Sequence, residues 1–158
     1  MSGPASPSIH ASAVLIGERA VLIRGPSGSG KSRLAFELIL AGRAGQIPPT
    51  SLIGDDRVHL EVQEGRLIVR PSAALAGLIE IRGLGIRRMP YVTEAPIGLV
   101  VDLDAEDAER LPPQNSLETT LSGVKLRRIP AGKSTPALLL VAAELTTTKS
   151  DPIHPTYG

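Results

Sequence analysis

The stretch that decides the fold is Gly25-Pro26-Ser27-Gly28-Ser29-Gly30-Lys31-Ser32. It matches the pattern G-x-x-x-x-G-K-[ST], in which glycines let backbone N–H groups turn inward around a phosphate. The lysine of such a loop reaches the β- and γ-phosphates of a nucleotide, and the serine hydroxyl can ligate magnesium. The sequence therefore predicts a nucleotide-phosphate site whose ligands are Gly25, Ser27, Gly28, Ser29, Gly30, Lys31 and Ser32.

The residues on either side of this loop fit the strand and the helix that the motif requires. Residues 20–23 are an apolar run typical of a buried strand, and a similar run at 13–16 predicts a hairpin that leads into the loop. After the loop, apolar residues recur at helical spacing from Leu34 to Ile39, and Gly42 is the expected end of that helix. The N-terminus of this helix would point at the bound phosphate.

Composition indicates a globular domain of ordinary type. A length of 158 residues suits one domain over 1–158, and we expect its ends, 1–8 and 147–158, to be flexible. A net charge of +1 without a basic run argues against nucleic-acid binding, and the absence of cysteine excludes disulfides and thiol catalysis. Neither a signal peptide nor a membrane span is visible, so no membrane partner and a cytoplasmic location are expected.

The rest of the chain predicts many short strands and few helices. Strands are expected at 51–54, 58–62, 66–69, 78–81, 97–101 and 125–129. A short helical turn is expected at 72–76, and a turn followed by a long loop at 105–123. Pro136 is expected in the first turn of a helix that continues through residue 145. Because parallel crossovers usually need helices, this pattern predicts a β-rich α/β fold with a mixed sheet.

Two carboxylate positions could complete a magnesium site beside the phosphate loop. Asp102 follows the most apolar run, at 97–101, and Asp55-Asp56 follows a shorter run at 52–53. Two adjacent carboxylates could divide the work between metal ligand and general base, although a polar turn explains the pair equally well. On pattern alone both positions stay open, with Asp102 slightly favoured.

Other charged residues have simpler interpretations. Glu80 interrupts an apolar strand and is expected on its solvent-facing side, and Arg82 in the following Arg82-Gly83-Leu84-Gly85 suits phosphate or carboxylate recognition. The pairs Arg87-Arg88 and Arg127-Arg128 are expected to be solvated charges at strand ends.

The run Leu78-Ile79-Glu80-Ile81-Arg82-Gly83-Leu84-Gly85-Ile86 resembles the signature of the HPr kinase/phosphorylase family, a glutamate and a branched apolar residue followed by R-G-L-G-I. Other pieces are similar to family elements in the same order. They are His10, the phosphate loop, Asp55-Asp56-Arg57-Val58, Arg110 within Glu109-Arg110-Leu111-Pro112, Ile129-Pro130 with Gly132-Lys133, and Val141-Ala142-Ala143. The resemblance spans residues 10 to about 144 and looks like a short, catalytic-domain-only form without the family's N-terminal domain.

The resemblance implies a phosphate-loop core similar to phosphoenolpyruvate carboxykinase and a bifunctional ATP-dependent serine kinase/phosphorylase. The implied partner is an HPr-like phosphocarrier protein of a phosphotransferase system, and the implied assembly is a homo-oligomer, a hexamer in the family. It also moves the metal site from Asp102 to Asp55, which with Ser32 and Glu80 would hold Mg²⁺.

The implied catalytic roles follow the same matches. Asp56 would be the general base, His10 would tune the protonation of the acid pair, and Arg82 or Arg110 would stabilise charge on the transferred group. Two alternatives stay open. One is a generic phosphate-loop NTPase or small-molecule kinase that uses Asp102 for magnesium, and the other is a non-enzymatic nucleotide sensor.

Overall fold

A mixed β-sheet with a helix packed against it positions the phosphate loop. A computed structural model of the chain describes residues 8–150. The strands are β1 (Ser8–His10), β2 (Ser12–Ile16), β3 (Arg19–Arg24), β4 (Thr50–Gly54), β5 (Arg57–Gln63), β6 (Arg66–Pro71), β7 (Leu78–Ile81), β8 (Gly85–Arg88), β9 (Ala95–Leu103), β10 (Glu118–Leu121) and β11 (Val124–Ala131). The α-helices are α1 (Lys31–Arg43) and α2 (Ala137–Thr146), and short 3₁₀ turns cover Ala73–Leu75 and Gln114–Leu117.

Strand β9 is the centre of the main sheet. It pairs in parallel with β3 on one side, and on the other side it pairs in parallel with β11 and, near its start, antiparallel with β6. The order is β1-β5-β6-β9-β3-β2-β4, with β10 added beyond β11, while β7 and β8 form a separate hairpin. The predicted mixed sheet is therefore confirmed, and the parallel β3–β9 pairing puts the ends of both strands at one edge.

The continuous apolar run of β3 is explained by burial on both faces. Val21 and Ile23 belong to a core cluster that includes Leu34 and Leu38 of α1, whereas Leu22 belongs to a second cluster on the opposite face. A strand covered on both sides needs apolar residues at every position, which removes the usual alternation. Because both faces of β3 are packed, the end of this strand is held in place. The phosphate loop therefore starts from a fixed position.

Most predicted elements are confirmed, including both hairpins, the 3₁₀ turn and α2. The prediction that Gly42 ends the first helix is wrong, because α1 continues to Arg43 and the left-handed glycine that follows is Gly45, with φ of 76°. Gly42 is a glycine for a packing reason, since a Cβ there would lie 2.6 Å from Thr50 Oγ1. This close approach lets α1 pack against β4.

Three smaller expectations also needed correction. The loop predicted over 105–123 contains β10, Ser8 lies in β1 rather than in a frayed end, and Pro136 is the N-cap of α2 rather than a residue of its first turn. The expected flexibility of residues 1–7 and 151–158 concerns positions outside the described range. Over residues 8–150, no helix combines the length and apolarity that crossing a membrane requires.

Candidate active site

The phosphate loop connects β3 to α1 and is closed by its own lysine. Gly28 and Gly30 have φ of 81° and 98°, left-handed values that glycine adopts without the Cβ clash that other residues meet. Lys31 Nζ donates hydrogen bonds to the carbonyl oxygens of Gly25, at 2.8 Å, and Pro26, at 3.2 Å. The ammonium group is therefore held against the loop, where it adds positive charge to the N-terminus of α1.

Ser29 supplies a second sign that the loop is shaped for an anion. Its hydroxyl is buried, and it has no hydrogen-bond partner within the described part of the chain. The space beside it is tight, because a Cβ on Gly25 would lie 2.5 Å from Ser29 Oγ. A buried hydroxyl without a partner costs free energy, which a phosphate oxygen could recover by accepting its hydrogen bond.

Asp55 is a buried carboxylate that joins three elements next to the loop. Only 4% of the residue is exposed. Ser12 Oγ of β2 donates to Oδ1 at 2.6 Å, and Ser32 Oγ of α1 lies 2.8 Å from both carboxylate oxygens. The backbone N–H of Glu80 in β7 donates to Oδ2 at 3.1 Å. These bonds place a fixed carboxylate directly against the serine that ends the phosphate-loop motif.

Asp56, the next residue, is open to solvent. Its φ of 68° is left-handed, a conformation that aspartate tolerates better than most residues, and 68% of its side chain is exposed. Its Oδ1 lies 3.9 Å from His10 Nδ1. The turn between β4 and β5 thus gives two neighbouring carboxylates different surroundings, one buried and hydrogen-bonded, the other accessible.

The tautomer of a neutral His10 ring follows from its second neighbour, Arg57. Arg57 Nη2 lies 3.0 Å from His10 Nε2, and β1 pairs with β5 so that the two residues are opposite each other. Because a guanidinium can only donate, Nε2 must accept, and the proton of the neutral ring is then on Nδ1. His10 therefore presents an N–H group toward Asp56.

Asp102 is engaged by two arginines. Arg24 donates to both of its oxygens at 2.7 and 2.8 Å, and Arg128 Nε donates to Oδ2 at 2.6 Å. Burial would raise the pKa of Asp102, but the hydrogen bonds from Arg24 and Arg128 outweigh it and hold the pKa below its usual value. The carboxylate that pattern alone favoured as the metal ligand is thus held in a structural ion-pair network.

Arg127 and Arg128 both differ from the expectation of solvated charges at strand ends, because each has an acidic partner. Arg128 is not a solvated strand-end charge, since 14% of its side chain is exposed and it also bonds Asp107 and the Ser116 carbonyl. Its pKa is raised by the hydrogen bond to Asp107 and by Asp102. Arg127 pairs with Glu144 of α2, with its Nη2 donating at 3.0 Å. By contrast, Arg87 and Arg88 of β8 are exposed, as expected.

The remaining predicted site residues lie farther out. Glu80 is exposed, so its expected solvent-facing position is confirmed, and only its backbone N–H bonds Asp55. Arg82 occupies the exposed turn between β7 and β8, and Arg110 lies in the exposed segment between β9 and β10. No hydrogen bond or ion pair among residues 8–150 joins either guanidinium to Asp55 or Asp56.

Sequence reasoning missed two features of this region. Ser12 has 0% exposure, and its only signal was a lone hydroxyl within an apolar strand. The network of Arg24, Asp102, Arg128 and Asp107 had no signal, because its members are brought together by the parallel pairing of β9 with β3 and β11.

Comparison with known proteins identifies the family. The family model described as HPr Serine kinase C-terminal domain matches residues 4–156. The chain belongs to this HPr kinase domain family. The resemblance seen at Leu78–Ile86 is thereby confirmed for almost the whole length of the chain.

Two curated relatives and one solved structure support the same family assignment. This HPr kinase domain is 39% identical over 101 residues to the HPr kinase/phosphorylase of Mycoplasma mycoides, covering 60% of this chain and 30% of that protein. It is 32% identical over 134 residues to the HPr kinase/phosphorylase of Clostridium acetobutylicum, covering 80% of this chain and 41% of that protein. The chain thus spans less than half the length of these relatives.

The structural match concerns the HPr(Ser) kinase/phosphatase from Coxiella burnetii. The TM-score is 0.69 at 26% identity, and the match covers 87% of this chain and 93% of the other. The β-rich architecture with few helices is therefore the fold of HPr kinases.

Proposed function

We propose that this domain is a reversible protein-serine phosphotransferase. It would transfer the γ-phosphoryl group of ATP to a serine of an HPr-like phosphocarrier protein, and it would remove that group by phosphorolysis. The observation that carries the proposal is the position of Asp55-Asp56 against Ser32. This places a buried carboxylate and an accessible one beside the end of the phosphate loop. The family and its relatives' names, HPr kinase/phosphorylase, support the choice of acceptor.

The oxygen atoms around Asp55 fit a magnesium ion. Mg²⁺ prefers oxygen ligands and usually takes one or two carboxylates together with substrate phosphates. Ser32 Oγ and the Asp55 carboxylate are such ligands, 2.8 Å apart, and Glu80 of β7 is joined to Asp55 through its backbone N–H. Over residues 8–150 no group of three or more His, Cys, Asp or Glu side chains could hold a metal, so phosphate oxygens would complete the site. When bound, Mg²⁺ would neutralise charge on the β- and γ-phosphates.

The proton steps fall to Asp56. In the forward direction the serine oxygen forms its bond to the γ-phosphorus, its proton passes to the Asp56 carboxylate, and ADP leaves. In reverse, an oxygen of inorganic phosphate attacks the phosphoserine phosphorus, Asp56 returns a proton to the departing serine oxygen, and pyrophosphate forms. His10, whose Nδ1 lies 3.9 Å from Asp56 Oδ1, would tune the protonation of the acid pair, as the family resemblance implies. Arg82 or Arg110 would stabilise charge on the transferred group once a partner is docked.

The surroundings of Asp102 speak against the competing assignment. Its two oxygens already accept hydrogen bonds from Arg24 and Arg128, so a metal would have to displace a guanidinium. Asp55 accepts its bonds from hydroxyl groups and one backbone N–H, which are neutral and more easily rearranged.

The proposal includes a cytoplasmic location and a homo-oligomer, a hexamer by family resemblance. Exposed apolar side chains support an interface. Leu84 and Ile86 are both 64% exposed on the β7–β8 hairpin, and Leu139 of α2 is 60% exposed. Neighbouring apolar side chains in the open, such as Leu84 and Ile86, are typical of contact surfaces, whereas a single exposed one is common on any protein.

The decisive variant is Asp56→Asn. Asparagine keeps the shape of the side chain and tolerates the left-handed backbone, but it cannot accept a proton. We expect transfer of radiolabelled phosphate from ATP to an HPr-like protein to fall about 10²- to 10⁴-fold. ATP affinity, measured by calorimetry, should stay unchanged. Wild-type transfer by Asp56→Asn would refute the general-base role.

A further inference from the structure

The buried face of β2 that packs toward α1 begins with a polar residue where the pattern calls for an apolar one. Ser12, Val14 and Ile16 lie on this face, because alternate residues of a strand share a face. Val14 and Ile16 belong to the core cluster that includes residues of α1, and Ser12 has 0% exposure. A hydroxyl at such a depth costs free energy unless it is hydrogen-bonded. The serine is therefore tolerated only through a specific partner, which is Asp55.

A β-bulge in β4 brings Asp55 level with Ser12. Ala13 lies opposite Gly54, whereas the next residue of β2 lies opposite Leu52, so β4 contains one extra residue at this point. Without the extra residue, Gly54 would come opposite Ser12; with it, that place falls to Asp55. Bulges re-aim side chains and are frequent next to active sites. The irregular strand and the buried hydroxyl are thus two separate features that serve one contact.

The Asp55 carboxylate is held by donors on both of its oxygens. Ser12 Oγ donates to Oδ1 at 2.6 Å, and the Glu80 N–H donates to Oδ2 at 3.1 Å. An ionised carboxylate offers about four lone-pair sites, two on each oxygen. The two donors leave sites on both oxygens for the side on which Ser32 Oγ lies, 2.8 Å from each. Rotation of the carboxylate would break the bonds from Ser12 and Glu80 together, so its orientation toward Ser32 is fixed.

We propose that Ser12 is a positioning residue of the magnesium site. Because Ser12 has no exposed surface, it acts through Asp55 and not on the substrate. Its hydroxyl holds the carboxylate in the orientation that Asp55 and Ser32 need to bind a cation together. Outer-shell partners of metal ligands work in this way, and losing one costs about 10- to 100-fold in metal affinity. The inference rests on the proposed function, because it needs Asp55 to be a magnesium ligand.

The test measures metal affinity separately from nucleotide affinity. Calorimetric titrations with ADP are made in EDTA and in saturating Mg²⁺. The gain in ADP affinity on adding Mg²⁺ reports the metal site, because the coupling between the two ligands is reciprocal. Ser12→Ala removes the hydroxyl, and Ser12→Thr keeps it. The matched control is Ser116→Ala, since Ser116 is also a buried serine and its hydroxyl donates to the Pro113 carbonyl at 2.9 Å.

We expect Ser12→Ala to bind ADP in Mg²⁺ about 10- to 100-fold more weakly than the wild type. In EDTA its ADP affinity should stay within about twofold of the wild type. Ser12→Thr should recover most of the Mg²⁺-dependent gain, and Ser116→Ala should match the wild type in both conditions. Circular dichroism melts report folding. If Ser12→Ala does not fold, Ser12→Cys, whose thiol is only a weak donor, takes its place and should show the same selective loss.

A wild-type gain from Mg²⁺ in Ser12→Ala, or an equal loss of ADP affinity with and without the metal, would overturn the positioning role and leave the proposed function in place. A wild-type gain in Asp55→Asn would overturn the magnesium assignment and this inference together. The expected metal dependence without phosphorylation of an HPr-like protein would support the inference and overturn only the proposed acceptor.

Discussion

Replacing Asp102 with asparagine tests whether this carboxylate stabilises the fold through its ion pairs or binds a metal. The side chain is 16% exposed and bonds Arg24 and Arg128, which are 29% and 14% exposed. Asparagine is nearly isosteric but uncharged, so two guanidinium groups would lose their shared counter-charge. Breaking a buried ion pair from one side costs about 3–5 kcal/mol. Because Arg128 keeps Asp107 and Arg24 is partly solvated, we expect about 3 kcal/mol here.

The free energy of unfolding from urea titrations at neutral pH measures this cost. The lowered pKa of Asp102 also fixes its pH dependence. A carboxyl whose pKa is lower in the folded state contributes stability that is present above its unfolded pKa, about 3.9, and is lost as pH falls through the folded value. The difference between the wild type and Asp102→Asn should therefore be constant near neutrality and shrink in acid.

Activity provides the second readout, at a temperature where the variant is folded. We expect folded Asp102→Asn to retain phosphotransfer and Asp55→Asn to lose it, because only Asp55 contacts Ser32. An Asp102→Asn protein as stable as the wild type would refute the ion-pair reasoning. Loss of transfer in Asp102→Asn combined with full transfer in Asp55→Asn would establish Asp102 as the magnesium ligand.

Three further predictions follow from single contacts. Gly42→Ala should lower the free energy of unfolding by about 1–3 kcal/mol in urea titrations, because its Cβ would lie 2.6 Å from Thr50 Oγ1, and an undiminished stability would contradict this packing. Ser29→Ala should leave stability unchanged or slightly raised while weakening tripolyphosphate binding in calorimetry, since its hydroxyl is buried without a partner; unchanged binding would exclude a phosphate role. Glu94→Gln, which breaks a half-exposed pair with Arg70, should cost less than about 1 kcal/mol, and a larger loss in the same titrations would show that this pair is not solvent-screened.

The sequence predicted the elements whose patterns are local. Strands and hairpins were visible because apolar runs and turn residues are read within a few positions, and the phosphate loop has a fixed motif. The strand β10 was missed because Glu118–Leu121 is largely polar and is defined by its pairing with β11. Gly42 was misread because a helix-ending glycine and a glycine forced by a neighbouring strand look the same in sequence.

The candidate site shows the same division between local and long-range information. Asp55 and Asp102 both follow apolar runs, so pattern alone favoured Asp102 only slightly and could not decide between them. What separates them is the set of cross-strand partners. The parallel register places Arg24 opposite Asp102, and the hairpin β2–β3 together with β4 brings Ser12 to Asp55. Such pairings depend on sheet order, which no single segment encodes.

The central claim is reversible phosphotransfer to a protein serine. The direct measurement incubates the protein with γ-labelled ATP, Mg²⁺ and an HPr-like phosphocarrier, and then adds excess inorganic phosphate. The account predicts labelled phosphoserine on the carrier in the first step and labelled pyrophosphate in the second, both lost in Asp56→Asn. ATP hydrolysis without labelling of the carrier, or a label that inorganic phosphate does not remove, would contradict it.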